Sequence, residues 1–291
     1  MKSPARSVSP RRLALAAALF TVVAWASAFV GIRAAGEELS PGPLTLLRLA
    51  VGSTALGVAL LARRDRLPTG HDLWRVVLCG VLWFGIYNLA LNAAERRVDA
   101  GTAAMLVNVG PIIIALLAGF LLGEGLPRSV LAGCALGFTG VTIIAVATTE
   151  QIAVSGGALL CLLAAVAYAG GVVAQKPVLA RSSGLAVTWT ACTVGLVVCL
   201  AFAPSLVDEL GHASPAAVAW AVYLGLVPTA IAFTTWAYAL ARTTAGRMGA
   251  TTYLVVPVAI LLGWVVLGET PGPLALFGGL VALTGVVVAR R

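Results

Sequence analysis

The stretch NVGPIIIALLAGFLLGE, residues 108 to 124, decides the fold, because LVVPVAILLGWVVLGE, residues 254 to 269, repeats its pattern. In both, a proline lies within an apolar run, Pro111 in one and Pro257 in the other, and a Gly-Glu pair ends the run. A proline inside a helix removes a backbone donor and clashes with the preceding turn, so it kinks or breaks the helix. Two matched breaks indicate a duplicated protein whose helices cross a membrane.

Composition also indicates a membrane protein. Of the 291 residues, 60% are apolar and 10% are charged, whereas about a quarter of a soluble domain is charged. A membrane-crossing helix needs roughly 20 apolar residues, and ten such runs are present. The predicted spans are Leu13–Ile32, Pro43–Ala62, Leu73–Ala94, Gly101–Leu122, Ser129–Ala147, Gly156–Gln175, Leu185–Leu206, Ala216–Leu240, Arg247–Leu267 and Pro273–Ala289.

The five cysteines indicate no metal or redox chemistry. All lie within apolar runs, and none forms a CxxC pair or has a companion histidine: Cys79, Cys134, Cys161, Cys192 and Cys199. Zinc sites and disulfide frameworks need such spacings. We therefore expect buried free thiols, no metal and no cofactor.

The formal net charge of +8 is explained by topology. With the N-terminus inside the cell, fifteen of the nineteen basic residues fall in cytoplasmic segments, three fall outside, and Arg48 lies within the second span. Cytoplasmic loops of membrane proteins carry this excess of Lys and Arg. The distribution predicts that both termini are cytoplasmic, and nucleic-acid binding is rejected.

The duplication extends beyond the two proline stretches. Gly80 and Gly225, like Gly133 and Gly278, are 145 residues apart, and Trp25 and Tyr168 are 143 apart. The predicted organisation is a tail (1–12), a first repeat (13–147), a connecting loop (148–155) and a second repeat (156–291). Because each repeat holds five spans, the second must be inverted relative to the first. Transporters built this way place their substrate site near the midplane between the repeats.

The most conspicuous carboxylates, Glu124 and Glu269, are predicted to be structural. An acid inside the membrane would be suited to proton coupling. Both residues, however, lie at span ends beside turns, where a carboxylate can cap the next helix along the chain or face its positive dipole end.

Aromatic and amide side chains are concentrated in repeat-related spans and are the candidates for binding a substrate. Buried amides are costly unless they are hydrogen-bonded, so they should face a cavity or a neighbouring helix. Bonding between helices alone is the alternative reading. The predicted substrate-binding residues are Trp25, Trp83, Tyr87, Asn88, Asn92, Asn108, Tyr168, Trp236 and Tyr253, and Pro111 and Pro257 are predicted to be helix breaks that serve gating.

Two features allow alternative interpretations. The side chain of Arg48 either reaches back to the membrane interface or faces the cavity, where it would attract a carboxylate. The small-residue pairs Gly133/Gly137 and Gly278/Ala282 allow close helix contact, and this contact lies either within a monomer or between the subunits of a dimer.

These residues resemble the ten-helix family of the drug/metabolite transporter superfamily that shares the EamA domain. The resemblance covers nearly the whole chain and includes Trp25 to Val30, Arg48, the run from Thr102 to Pro111, Gly123-Glu124, Gly133 to Val141, and Arg247 to Val287. The second repeat departs from the first, with Tyr168 in place of Trp25 and Ala191 in place of Arg48. The resemblance implies a carrier in a bacterial-type inner (plasma) membrane that exports amino acids or related metabolites.

The predicted fold is an all-α integral membrane protein with ten transmembrane helices, arranged as two inverted five-helix repeats. The predicted function is alternating-access export of small amphipathic metabolites, in particular neutral aromatic or branched amino acids, and not an enzyme activity. Other drug-like solutes, a channel or a membrane-embedded enzyme are the alternatives. The expected partners are the lipid bilayer and a small-molecule substrate, with a monomer as the unit and a homodimer as the alternative.

Overall fold

Helices form all the regular structure in the part of the chain that the computed structural model describes, residues 10–97, 103, 106–148, 156–267 and 272–291. They are numbered in chain order: α1 (Pro10–Gly36), α2 (Pro41–Arg63), α3 (Gly70–Ala94), α4 (Gly110–Leu121), α5 (Arg128–Thr148), α6 (Gly156–Gln175), α7 (Gly184–Leu210), α8 (Pro215–Leu240), α9 (Ala245–Thr251 and Val255–Leu267) and α10 (Pro273–Ala289).

The helices fall on the predicted spans. Eight are long and apolar enough to cross a membrane, and α4 and α10 are shorter apolar helices. The bounds of α6 and α10 coincide with the predicted ones, while α1 and α7 extend several residues further. The all-α membrane fold is therefore confirmed. The count of ten spans and the side on which the termini lie stay predictions.

Two repeat-related helices change their winding near the middle. In α3 the segment Gly80–Ile86 is π-helical, and in α8 the segment Gly225–Ile231 is π-helical, 145 residues later. The N–H of Tyr87 accordingly donates to the carbonyl of Leu82, five residues earlier. Such π-turns are rare and occur frequently at functional sites. Hydropathy alone predicts neither of them.

Helices α5 and α10 pack against each other through small residues. A β-carbon built on Gly140 would lie 2.3 Å from the backbone nitrogen of Ala282, and one built on Gly285 would lie 2.4 Å from that of Gly137. Only glycine allows backbones to approach this closely. The small-residue faces are therefore used within one chain.

Two acidic side chains form hydrogen bonds between the repeats at the bundle face where α1 ends. The carboxylate of Glu209 accepts hydrogen bonds from the backbone N–H (2.8 Å) and the hydroxyl (2.5 Å) of Ser40, the residue before α2. The carboxylate of Glu38 accepts in the same way from Ser214, the residue before α8. Each acid thus satisfies a helix start in the other repeat.

The opposite face carries the repeat-related contacts. Ser183, which precedes α7 and lies 143 residues after Ser40, donates to Asp65 at 2.6 Å. Arg181 forms a two-point ion pair with Asp72. The inverted duplication therefore appears in the loops as well as in the helices.

We expect Gly140→Ala to lower the free energy of unfolding by about 1–3 kcal/mol, because the new methyl group would collide with the backbone of α10. The measurement is thermal unfolding of the purified protein in detergent. Gly36→Ala is the matched control, since a β-carbon there meets no heavy atom within 4 Å. Equal melting temperatures for the two variants would contradict the close packing of α5 and α10.

We expect Glu38→Gln to lower the melting temperature at neutral pH, and this difference should disappear in acid. Hydrogen bonds from the side chain and backbone of Ser214 lower the pKa of the Glu38 carboxyl. A carboxyl whose pKa is lowered in the folded state contributes stability at pH values above its unfolded-state pKa. This contribution is lost as the pH falls through the folded-state pKa. Glu37→Gln, at an exposed neighbour, is the control, and a pH-independent difference between the variants would refute the prediction.

Candidate functional site

A cavity lies among the middles of the helices and extends toward the face where α1 and α3 end. Both repeats contribute to its wall, which is formed by seven helices, α1, α2, α3, α4, α6, α8 and α9, and by the segment before α4. The lining residues are Trp25, Ala28, Phe29, Ile32, Arg48, Trp83, Tyr87, Leu91, Val107, Asn108, Pro111, Tyr168, Phe233, Thr252 and Val255.

Packed aromatic rings close the inner end of this cavity. The ring centroids of Trp83 and Phe233 are 4.8 Å apart, those of Trp83 and Tyr168 are 5.2 Å apart, and those of Trp25 and Trp236 are 4.9 Å apart. Edge and tilted contacts at such distances are favourable beyond the area that they bury. The rings form a packed apolar layer between the repeats at this end of the cavity.

Five of the nine predicted substrate-binding residues border the cavity: Trp25, Trp83, Tyr87, Asn108 and Tyr168. Trp25 and Tyr168 occupy matching places in the two repeats, and the Tyr168 hydroxyl reaches Thr252 at 3.5 Å. Their contact with a substrate stays a prediction, but the tertiary structure does bring them together.

The other four lie outside the cavity wall in this conformation. Asn88 donates to the carbonyls of Trp83 and Phe84, because the π-helical turn beside it leaves these groups in need of donors. Asn92 donates to Thr45 of α2 at 2.9 Å. Trp236 lies beneath Trp25, and Tyr253 is fully buried against α5.

A buried hydrogen-bond network surrounds the π-helical turn of α8. Pro228 has no N–H, so the carbonyl of Leu224 lacks its usual helical donor. The Thr229 hydroxyl donates to that carbonyl at 2.8 Å, and the indole N–H of Trp25 donates to the carbonyl of Pro228 at 3.1 Å. This network fixes α1 against α8 at the cavity wall.

Arg48 is a cavity residue that is not among the nine predicted substrate-binding residues. Its side chain is 5% exposed, lines the cavity, and donates from Nε to the Thr229 hydroxyl at 2.7 Å. The cavity-facing interpretation is thus the one that the structure bears out, and the interface interpretation is wrong. The sequence does show an arginine two turns inside an apolar span. The direction of its side chain, however, depends on how α2 packs on α8.

The predicted helix interruptions are present on the N-terminal side of each proline. The chain turns at Asn108 and Val109 before α4 begins at Gly110, so Pro111 lies in the first turn of a new helix. In α9 a 3₁₀ turn, Thr252–Leu254, separates the two helical parts just before Pro257. Pro111 lines the cavity, and Pro257 is not among its lining residues. A gating role stays a prediction for both.

Glu124 caps a helix, although not the next one along the chain. Its two carboxylate oxygens accept from the N–H groups of Ala245 and Gly246, at the start of α9 in the other repeat, at 2.8 and 3.3 Å. Gly123 and Gly125 have φ values of 68° and 70°, which allow the tight turn around it. Glu269 lies outside the described residues.

Few titratable groups lie near the cavity. Within the described ranges, no group of three or more His, Cys, Asp and Glu side chains could hold a metal ion. Glu95, just after α3, has a buried Oε1 atom without a hydrogen-bond partner. Burial raises the pKa of its carboxyl to about 8, while the positive charges of Arg33 and Arg48 act in the opposite direction.

Known proteins resemble this chain in sequence and in fold. The EamA-like transporter family matches residues 12–146 and 155–291. A probable terminal-alkyne amino-acid exporter of Streptantibioticus cattleyicolor is 40% identical over 275 residues, which cover 94% of this chain and 92% of that protein. A probable amino-acid metabolite efflux pump of Salmonella typhimurium is 26% identical, covering 93% and 92%. One crystal structure, 22% identical, has the same fold with a TM-score of 0.78 over 95% of this chain and 96% of the other.

We expect Glu95→Gln to stabilise the protein in alkaline solution. A carboxyl whose folded-state pKa is raised weakens the fold progressively as the pH rises from the ordinary pKa of 4.5 to the folded-state pKa of about 8. The melting temperature of the variant should therefore exceed that of the wild type above pH 8, and the two should converge near pH 4.5. Asp208→Asn, which removes an exposed carboxylate, should show no such trend. A constant offset would show that Glu95 is already ionised in the folded protein.

Proposed function

Because this chain belongs to the EamA-like transporter family, we propose that it exports neutral amphipathic amino acids through the cavity between its two repeats. The membership itself makes the protein a multi-pass membrane transporter and not an enzyme. The resemblance predicted from the sequence is thereby confirmed. The substrate class and the transport mechanism of this protein are our proposals.

The observation that carries the proposal is the aromatic cavity at the middle of the bundle. Trp25, Trp83, Tyr87, Tyr168 and Phe233 offer a broad apolar surface. Ligand sites of this type combine apolar walls with a few polar groups that orient the ligand. An aromatic or branched side chain suits such walls, and the names of the exporters and efflux pumps among the relatives support an amino-acid substrate.

Alternating access is supported by the way in which the cavity ends. Aromatic rings separate it from the face where the termini lie, so a substrate can pass only if these rings move. Among the described residues, Trp236 Nε1 and Tyr253 Oη are buried without a hydrogen-bond partner. Such groups cost free energy while unpaired, and an opposite conformation that opens to the other face would give them polar contacts.

We further propose an inner-membrane location with both termini in the cytoplasm, so that this cavity faces outward. The excess of Arg and Lys in the segments on the terminal face supports this orientation. One chain forms the whole cavity, which supports a monomer as the transport unit.

We expect purified protein in liposomes to release preloaded phenylalanine or leucine with saturable kinetics, and external substrate to accelerate the release. Empty liposomes provide the background. A rate equal to that background for neutral amino acids and for related amphiphiles would refute the proposal, and flux that never saturates would indicate a channel instead.

We expect Trp83→Ala to raise KM about tenfold in the same assay, since losing a buried aromatic contact removes on the order of 1–2 kcal/mol of binding. Trp74→Ala is the matched control, because this tryptophan is 50% exposed, lies at the start of α3 and is not among the residues that line the cavity. An unchanged KM in Trp83→Ala would exclude its contact with the substrate.

A further inference from the structure

The guanidinium of Arg48 is held in place by a chain of hydrogen bonds that leaves most of its donors without a hydrogen-bond partner among the described residues. Its Nε atom donates to the Thr229 hydroxyl at 2.7 Å, and this hydroxyl donates to the carbonyl of Leu224 at 2.8 Å. A guanidinium has five N–H donors in a rigid planar fork. The remaining four belong to the terminal nitrogens, and Arg48 lies in the wall of the cavity.

No carboxylate of the protein neutralises this cation in the described part of the chain. The ion pair found there joins Arg181 and Asp72 in the loops. Glu95 influences Arg48 only at longer range, because it forms no ion pair with it. Arginine does not lose its proton in proteins, and a buried charge without a partner is costly.

The cavity therefore presents one fixed positive charge beside an apolar aromatic surface. The matching position of the second repeat carries Ala191, which is fully buried, so the inverted duplication does not supply a second cation. A molecule that fits this arrangement has a single anionic group at one end and an apolar body.

We propose that Arg48 binds the carboxylate of the transported solute, which restricts the substrates to amphipathic monocarboxylates such as neutral α-amino acids. The inference rests on the proposed export function and identifies its recognition group. Two parallel N–H···O bonds from a guanidinium to a carboxylate give both affinity and orientation. Thr229 is a positioning residue, because it occupies Nε and turns the terminal nitrogens toward the cavity.

The test compares L-phenylalanine with L-phenylalaninamide, which has the same side chain but no carboxylate, in binding and transport assays. Wild-type protein should show a melting temperature that rises with phenylalanine concentration, and the amide should have little effect. Arg48→Gln should lose this shift and raise KM for phenylalanine at least about tenfold, the range expected for a hydrogen bond to a charged group. Arg48→Lys should recover only part, because an ammonium lacks the planar fork.

Controls separate recognition from folding. Arg96→Gln removes an exposed arginine near the same face and should behave as the wild type does. Thr229→Val should raise KM for phenylalanine, because it removes the acceptor that positions the Arg48 guanidinium. Arg48→Met should retain or raise the melting temperature without ligand, because a buried unpaired cation is removed.

The outcomes are distinct. If the wild type transports the amide as well as the acid, or if Arg48→Gln transports phenylalanine normally, the recognition of a carboxylate by Arg48 is refuted while export stands. A fall in the melting temperature of Arg48→Met, with an unchanged ligand-induced shift, would also refute it and would assign Arg48 to the packing of α2 on α8. If the wild type transports neither compound nor any other amphiphile, the export function itself fails.

Discussion

The burial of a guanidinium in an apolar helix bundle is the constraint on which the rest of the site depends. Arg48 must find acceptors within the protein, and Thr229 supplies one. Thr229 is available there because Pro228 leaves the carbonyl of Leu224 without its helical donor. The π-helical turn of α8 thus brings the missing N–H of Pro228, the Thr229 hydroxyl and the charge of Arg48 together at the cavity wall.

The two repeats share this backbone design but fill it with different side chains. The π-helical turns of α3 and α8 correspond residue for residue, and Trp83 occupies the place of Pro228. In α3, Asn88 donates to buried carbonyls of the π-helical turn, whereas in α8 Thr229 and Trp25 do so. The two repeats therefore have similar backbones, but their side chains differ, and Arg48 of the first repeat has Ala191 as its counterpart in the second.

The same relation holds at the surface, where the loops of one repeat satisfy helix starts in the other. Glu209 with Ser40 on one face corresponds to Asp65 with Ser183 on the other. Glu124 of the first repeat likewise accepts a hydrogen bond from the start of α9 in the second repeat. Backbone donors at helix ends need partners wherever water is scarce, and here these contacts also hold the repeats together.

Sequence alone determined the features that depend on local chemistry. Apolar runs marked the helices, Pro111 and Pro257 marked the interruptions before α4 and within α9, and a turn on each side marked Glu124 as a cap. Trp83 and Tyr87, which the sequence predicted to bind the substrate, both line the cavity.

Only the tertiary structure decided which polar groups face that cavity. Asn88 and Asn92 are engaged by a π-helical turn and by Thr45, and neither partner is visible in a pattern of 3.6 residues per turn. The direction of Arg48 likewise depended on a hydroxyl 181 residues away. Hydropathy reports the cost of exposing a side chain to water or lipid, but not which neighbour will meet its hydrogen-bonding needs once the helices pack.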